Sequence, residues 1–413
     1  MPRPASKFLA DRLHVGLAVS VVALLVFGSV MVSIATATMA GHSALVQRQF
    51  LGIGVGALLL VGVWLIDYKT YKAWTGPLMI LLSALILSPR IPGLGATASG
   101  ATSWLQIAGI RLFQPSEPAK LLFIVVLGAV IAEYGGKIEK GADVARVGAY
   151  VGWPFLLILA QPDLGTGLVF IMIAMGMLLV GGLQGRWFAI LGVTGLVLVL
   201  TVFGANEMLN HALNRGPYDP TYIAAVNKAG GDTSAASVQA LKDTSVLVKQ
   251  YQINRLGVFI NPNLDPKGAG YNLAQSKIAI GAGGLTGTGS QGGTQSRLNF
   301  IPERHTDFIF SVLGEQFGFV GALMLLGLYL ALLAATLSIS ASSRDLFGAL
   351  IAAGLIAMWA FQILENMGMT IGIMPITGIP LPFMSYGSSF MVTNLAGVGI
   401  LLSIWSRRYG TTT

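Results

Sequence analysis

Apolar residues in this chain come in long runs rather than in strict alternation. Ten runs of spanning or near-spanning length lie at roughly 15–38, 49–66, 75–89, 118–133, 146–160, 164–182, 187–204, 308–336, 346–368 and 388–405. A helix needs about 20 apolar residues to cross the hydrocarbon of a bilayer. The third and fifth runs are the short ones, and they carry Pro77 and Pro154. Between the seventh and eighth runs the chain turns polar for the whole of 205–307. The pattern predicts an all-α polytopic membrane protein with about ten transmembrane helices and a large extracytoplasmic loop between helices 7 and 8. It reads as a single membrane domain over 1–413 in which 205–250, polar and poor in aromatics, is a flexible excursion.

Composition agrees: 54% of residues are hydrophobic and 10% charged, with a mean hydropathy of +0.73, far from soluble averages. The net charge of +8 raises nucleic acid as a partner, but the basic residues flank the apolar runs and form no stripe. No nucleic-acid partner is expected. With no cysteine there is no disulfide and no thiol chemistry. The first apolar run lacks a small-residue cleavage site followed by a soluble domain, so it reads as a retained span.

Charge then sets the orientation. One set of connectors holds Arg3, Lys7, Arg12, Lys69, Lys72, Lys137, Lys140, Arg146, Arg186, Arg344, Arg407 and Arg408; the short opposite loops hold only Arg48, Arg90, Arg111 and Lys120. Under the positive-inside rule both termini are cytoplasmic, and the even span count agrees. Nearly every unusual motif then falls on the outer face.

Four polar constellations stand out, because a charge at the centre of a span costs about 2.5–3.5 kcal/mol. In "FQPSEPAK" (113–120), Ser116 can cap a helix while Glu117 and Lys120, three apart, share a face and can pair. In "AQPDLGTG" (160–167), Asp163 can cap the sixth span. In "IPERHTDFIFSVLGEQFG" (301–318), Thr306 or Asp307 can cap the eighth span, after Glu303, Arg304 and His305. His305 reads as a base or an interfacial anchor, and Glu315, about 12 Å further in, needs a partner or a watery cavity. In "ENMGMTIGIMPITGIPLPFMSYGSSF" (365–390), prolines and glycines forbid a continuous helix. That stretch is a re-entrant connector or a groove wall in which Ser385 and Tyr386 present hydroxyls.

Other chemistries lack their signatures. The glycines of 281–293 match neither a Walker loop nor a dinucleotide fingerprint, and their freedom suits close approach. Four scattered histidines do not make a zinc site, and no nucleophile elbow is present.

The stretch "DPKGAGYNLAQSKIAIGAGGLTGTG…TQSRLNFIPERHTDFIFSVLGEQFG", with "FQPSEPAK", "QPDLGTG" and "GIPLPFMSYGSS", resembles the shape, elongation, division and sporulation (SEDS) family, and within it the elongation (RodA-type) branch more than the division (FtsW-type) branch. The resemblance covers all ten spans and departs at 205–250, which is longer than expected and bears on partner contacts. It implies a peptidoglycan glycosyltransferase that polymerises lipid II at the outer face of the bacterial cytoplasmic membrane. The implied partners are a class B penicillin-binding protein transpeptidase, elongation-complex membrane proteins and membrane lipids. The family's essential aspartate, in its "DP-x-G-x-GY" motif, falls on Asp265; its glutamate–lysine pair falls on Glu117 and Lys120, and its "QPDLGT" aspartate on Asp163. Asp265 is then the catalytic candidate, as a base or as a carboxylate holding a divalent cation such as magnesium or manganese. Lys120, Arg255, Lys277, Arg297 and Arg304 are candidate phosphate cations. A lipid II flippase and a division-type polymerase are the alternatives.

Overall fold

The structure is a computed structural model, described here for residues 13–98, 101–107, 110–159, 161, 163–215, 219–230, 248, 250–262, 265, 268–289 and 292–409. Arg3, Lys7, Arg12, Pro162, Pro266 and Lys267, all used in the sequence reading, lie outside the described residues, as does 231–247 of the stretch expected to be flexible.

All ten apolar runs are helical: α1 (Val15–Thr36), α2 (His42–Leu65), α3 (Thr75–Leu87), α4 (Ser116–Ala132), α5 (Gly141–Leu159), α6 (Leu164–Val180) and α7 (Gly185–Ala212), and, beyond shorter helices, Ile309–Ala341, Leu346–Ile371 and Ser388–Ser406. Among the described residues eight helical stretches are long and apolar enough to cross a membrane; α4 and α6, 17 residues each, are the shorter pair. The short third run reaches spanning length because 3-10 turns at Tyr68–Trp74 and Ser88–Arg90 extend α3 at both ends. Pro154 sits inside α5. Several hydroxyls within the spans bond back to the carbonyl four residues earlier, as Ser29 does to Leu25 and Thr336 to Leu332, and are satisfied inside their own helix.

Three short strands were not foreseen. β1 (Gly95–Ala98), β2 (Ala101–Ile107) and β3 (Ile110–Phe113) form an antiparallel sheet in the order β1-β2-β3, with Gly95 opposite Leu105 and Leu105 opposite Phe113.

The chain divides into two compact units. The first comprises 1–183, 279–367 and 378–413. Its centre is Ser388–Ser406, buried along most of its length. α2 packs along this helix at a separation only glycine permits: a Cβ at Gly52 would lie 2.9 Å from the Ser388 backbone, and one at Gly56 2.6 Å from Leu395. α4 is buried almost throughout and packs against α3, α6 and the same central helix.

The second unit comprises 184–278 and 368–377. It holds α7, α8 (Pro220–Lys228), α9 (Gln250–Ile260) and most of α10 (Ala269–Gly283). The seventh span was expected to stop near 204, yet α7 continues to Ala212. The physical reason is that its polar extension is held by protein: Asn206 and Asn210 are buried, and the Asn206 side-chain oxygen accepts the Val248 N–H at 2.9 Å. Within this unit Ser276 donates to the Thr370 carbonyl (2.7 Å) and Arg255 to the Thr377 carbonyl (3.0 Å), which fixes 368–377 against α9 and α10.

Returning to the first unit, α11 (Thr294–Arg297) precedes α12 (Ile309–Ala341), which is broken at Gly318 (φ 61°, ψ −156°). The break leaves helix carbonyls and amides without their usual partners. The glycine-rich segment supplies replacements: Thr288 and Gly289 donate to the Glu315 and Gln316 carbonyls, while Phe319 and Val320 donate to the Gly284 and Leu285 carbonyls. Close packing is therefore what Gly283, Gly287, Gly292 and Gly293 provide, whereas a Cβ at Gly281, Gly284 or Gly289 would meet open space. The last two spans are α13 (Leu346–Ile371) and α14 (Ser388–Ser406).

Candidate functional site

In the second unit, Asp265 stands just before the first turn of α10, 9% exposed. Its Oδ2 accepts the Ala269 N–H at 3.0 Å, and its carbonyl accepts the N–H groups of Gly268 and Gly270 at 3.3 and 3.0 Å. The carboxylate therefore caps a helix N-terminus, where unpaired amides and the helix dipole favour negative charge. A Cβ at Gly268 would fall on this carboxylate, 2.7 Å from its Cγ; one at Gly270 would fall on the carbonyls of Pro262 and Asp265, 2.6 Å from the latter. The two glycines let the backbone fold tightly around one acid. One hydrogen bond uses only part of a carboxylate's acceptor capacity, so Asp265 retains room to take a proton or a cation.

Two cations of this unit were candidates. Lys277 lies eight residues into α10, roughly 12 Å along the axis from Ala269. It is exposed, with its chain end lying over Gly372. Arg255 on α9 gives its guanidinium to the Thr377 carbonyl, so part of its capacity goes to holding the chain.

In the first unit, Glu117 and Lys120 form a buried ion pair at 2.9 Å, their side chains 5% and 3% exposed. The ammonium also lies 5.5 Å from the Phe390 ring centroid. Glu117 Oε2 and Ser116 Oγ are buried without a hydrogen-bond partner. Ser116 does not cap α4; Pro115 occupies that position and Ser116 begins the helix. Asp163 caps α6, taking the Thr166 N–H at 3.0 Å and its hydroxyl at 2.9 Å.

Neither Thr306 nor Asp307 caps α12, which starts after Phe308. Glu303 adopts a left-handed conformation (φ 50°), and its carbonyl gathers the N–H groups of Thr306, Asp307 and Phe308. This turn takes over the capping that a side chain was expected to provide. It is pinned from the connector before α14 and from α13: Ser385 donates to the Thr306 carbonyl (2.7 Å) and accepts the Leu381 N–H (2.8 Å), Tyr386 N–H bonds the His305 carbonyl (2.9 Å), and Asn366 of α13 donates to the carbonyls of Asp307 and Ile379. Ser385 is fully buried, so its hydroxyl stitches two loops and does not face a groove.

Arg304 is 1% exposed and donates to the Ala35 carbonyl (2.6 Å) and the Thr38 hydroxyl (2.8 Å). It ties the turn to the end of α1, which corrects its reading as a phosphate cation. Burial holds the His305 imidazole below the ordinary histidine value, with Glu303 opposing the shift and Arg304 adding to it; its Nδ1 has no partner. The half-buried ring lies 5.3 Å from that of Tyr386, as an anchor does.

Glu315 finds its partner without a cavity. Its two oxygens accept the N–H groups of Gln295 (2.7 Å) and Ser296 (2.9 Å), capping α11. The sequence reading also passed over Gln362 and Asn366. Both are fully buried, and Gln362 Nε2 and Oε1 and Asn366 Oδ1 lack partners. With Glu365 they form a polar row at i, i+3 and i+4 inside an apolar span, a pattern that was there to find. Among the described residues no cluster of three or more histidines and carboxylates could hold a metal.

The family model FtsW/RodA/SpoVE, described as "Cell cycle protein", matches residues 12–215 and 222–410. The chain is 34% identical over 408 residues to peptidoglycan glycosyltransferase MrdB of Escherichia coli strain K12, covering 98% of this chain and 97% of that protein. It is 35% identical over 392 residues to peptidoglycan glycosyltransferase RodA of Treponema pallidum, covering 87% and 89%. A solved structure described as "Structural coordination of polymerization and crosslinking by a peptidoglycan synthase complex" contains a chain of the same fold, with a TM-score of 0.70, 28% identity and coverage of 96% and 98%.

Proposed function

This chain belongs to the FtsW/RodA/SpoVE family, and on that premise we propose that it is a membrane-embedded peptidoglycan glycosyltransferase whose reaction is carried by Asp265. The observation that carries the assignment is the turn itself: a nearly buried carboxylate, held on a helix N-terminus by glycines that admit no side chain.

The substrate is lipid II, and the product is a glycan strand for cell elongation. The 4-hydroxyl of one sugar attacks the anomeric carbon of another. A carbon–oxygen bond forms there as the bond to the pyrophosphate oxygen breaks, and undecaprenyl pyrophosphate leaves. Asp265 accepts the proton of the attacking hydroxyl, a role that contributes about 10²–10⁴-fold. Lys277, on the same helix and exposed, is the cation we assign to the leaving pyrophosphate. A magnesium-type ion suits a site with one protein carboxylate, since such ions bind through one or two carboxylates and the phosphates of the substrate. Asp265 would hold it as an alternative to serving as the base.

The Glu117–Lys120 pair and the Asp163 cap are positioning groups in this reading. Both termini are cytoplasmic, the Asp265 turn faces outward, and a class B penicillin-binding protein crosslinks the strands. Support for that partner comes from the related chain's presence in a peptidoglycan synthase complex.

The test is lipid II polymerisation by purified protein with its partner. Asp265→Asn is expected to abolish strands, and Lys277→Gln to slow them. Wild-type strand lengths from Asp265→Asn would overturn the assignment. Loss of activity on chelation, restored by magnesium or manganese, would support the metal role; full activity in chelator would remove it.

A further inference from the structure

A second site lies within the first unit, lined by none of the groups given a chemical role under the proposed function. The end of α1, the start of α2 and the short helix α11 enclose a cleft of about 520 Å³. Its lining includes Ser33, Ile34, Thr38, His42, Arg297 and Gln316. No carboxylate lines it, so its charge is of one sign.

Two features show that the cleft is built for a ligand. Gln316 is 2% exposed; its Nε2 donates to the Ser296 hydroxyl at 3.0 Å, but its Oε1 is buried with no partner. Leaving a buried acceptor unpaired is costly, so a donor from a bound molecule suits it. His42 is oriented by its Nδ1, which lies 2.8 Å from the Thr36 hydroxyl, leaving Nε2 as its second polar atom.

The surface leading to the cleft identifies the rest of the ligand. Val22, Val26, Val30 and Ile34 follow one another at four-residue spacing along one face of α1. The first three are 57%, 60% and 45% exposed, and the fourth lines the cleft. From Val22 to Ile34 this apolar track runs roughly 18 Å, close to the depth of one leaflet.

We propose that the cleft binds the headgroup of an anionic, hydroxyl-bearing glycerophospholipid such as phosphatidylglycerol, with an acyl chain lying along Val22, Val26 and Val30. The phosphodiester pairs with Arg297 and the glycerol hydroxyls donate to Gln316 Oε1. The proposal needs only a membrane-embedded chain and stands apart from the role of Asp265.

The test uses the full-length protein, freed of co-purified lipid in detergent, with bound species counted by native mass spectrometry. Phosphatidylglycerol, phosphatidylcholine, glycerol 3-phosphate and a short polyprenyl phosphate are titrated separately and in competition. Phosphatidylglycerol is expected to bind in preference to phosphatidylcholine, and glycerol 3-phosphate, which lacks the tail, at least about tenfold more weakly. The exposed Arg297→Gln substitution is expected to weaken phosphatidylglycerol about tenfold while leaving the thermal transition in place. Ser33→Phe, which fills the cleft, is a second variant expected to abolish selectivity. Equal binding of the two phospholipids, displacement by polyprenyl phosphate in preference, or unchanged affinity in Arg297→Gln would each overturn the proposal.

Discussion

Replacing Gly268 by alanine tests whether the position of Asp265, and not merely its presence, matters. The added Cβ would lie 2.7 Å from the Asp265 Cγ, whereas non-bonded carbons sit at about 3.5–4.0 Å. The obstacle is a side chain on a single-bond pivot, so the carboxylate swings away by roughly 1 Å and the fold survives. A displacement of that size costs about 10²-fold in a positioned reaction, or about 2.7 kcal/mol of transition-state stabilisation. The expected result is kcat for lipid II polymerisation down about a hundredfold, with KM and the thermal unfolding midpoint close to wild type. Gly270→Ala is the internal contrast. Its Cβ meets the carbonyls of Pro262 and Asp265, which cannot rotate aside, so that variant is expected to lose about 1–3 kcal/mol of stability. A Gly268→Ala protein that polymerises at the wild-type rate would refute the reasoning, because the acid would then tolerate the displacement that the geometry demands.

Three further outcomes follow from the first unit. Glu315→Ala leaves the half-buried Gln295 and buried Ser296 amides without their acceptor, and at about 1.5–3 kcal/mol for each charged hydrogen bond the thermal midpoint should drop markedly; an unchanged midpoint would mean that α11 is capped some other way. Glu117→Gln strands the Lys120 ammonium and should cost about 3–5 kcal/mol, whereas the double variant Glu117→Gln with Lys120→Met should recover most of it, a difference read by chemical denaturation of single and double variants. His305 has a folded-state pKa below the unfolded value of 6.5, so on acidification the unfolded chain takes up the proton first. Stability should therefore fall as pH drops below 6.5 towards the lowered folded value, and His305→Phe should flatten that part of a midpoint-against-pH curve.

The spans were legible because lipid solvation demands one simple thing, about twenty apolar residues in a row, and the chain reaches or comes near that length ten times. Their ends were less so. α7 runs on through Asn206 and Asn210 because protein receives those amides, and no local pattern announces a partner 42 residues away. The three strands at 95–113 were invisible for a related reason: β1 and β3 are four residues each, and the seven of β2, ATSWLQI, do not alternate. The site divides along the same line. Glu117 with Lys120, and Asp163 with Thr166, were readable, since both partners lie within one turn. Glu315 was read as needing a partner or a watery cavity without the partner being nameable, and Thr306 or Asp307 was read as a cap, because the actual partners are backbone amides and a left-handed Glu303. Asp265 sits between these cases. Its motif marks it, but what the motif means is geometric: Gly268 and Gly270 are needed because a carboxylate and two carbonyls occupy the space their side chains would take. A glycine keeps room for something, and only the fold says whether that something is a backbone, as at Gly318, or a carboxylate, as at Gly268.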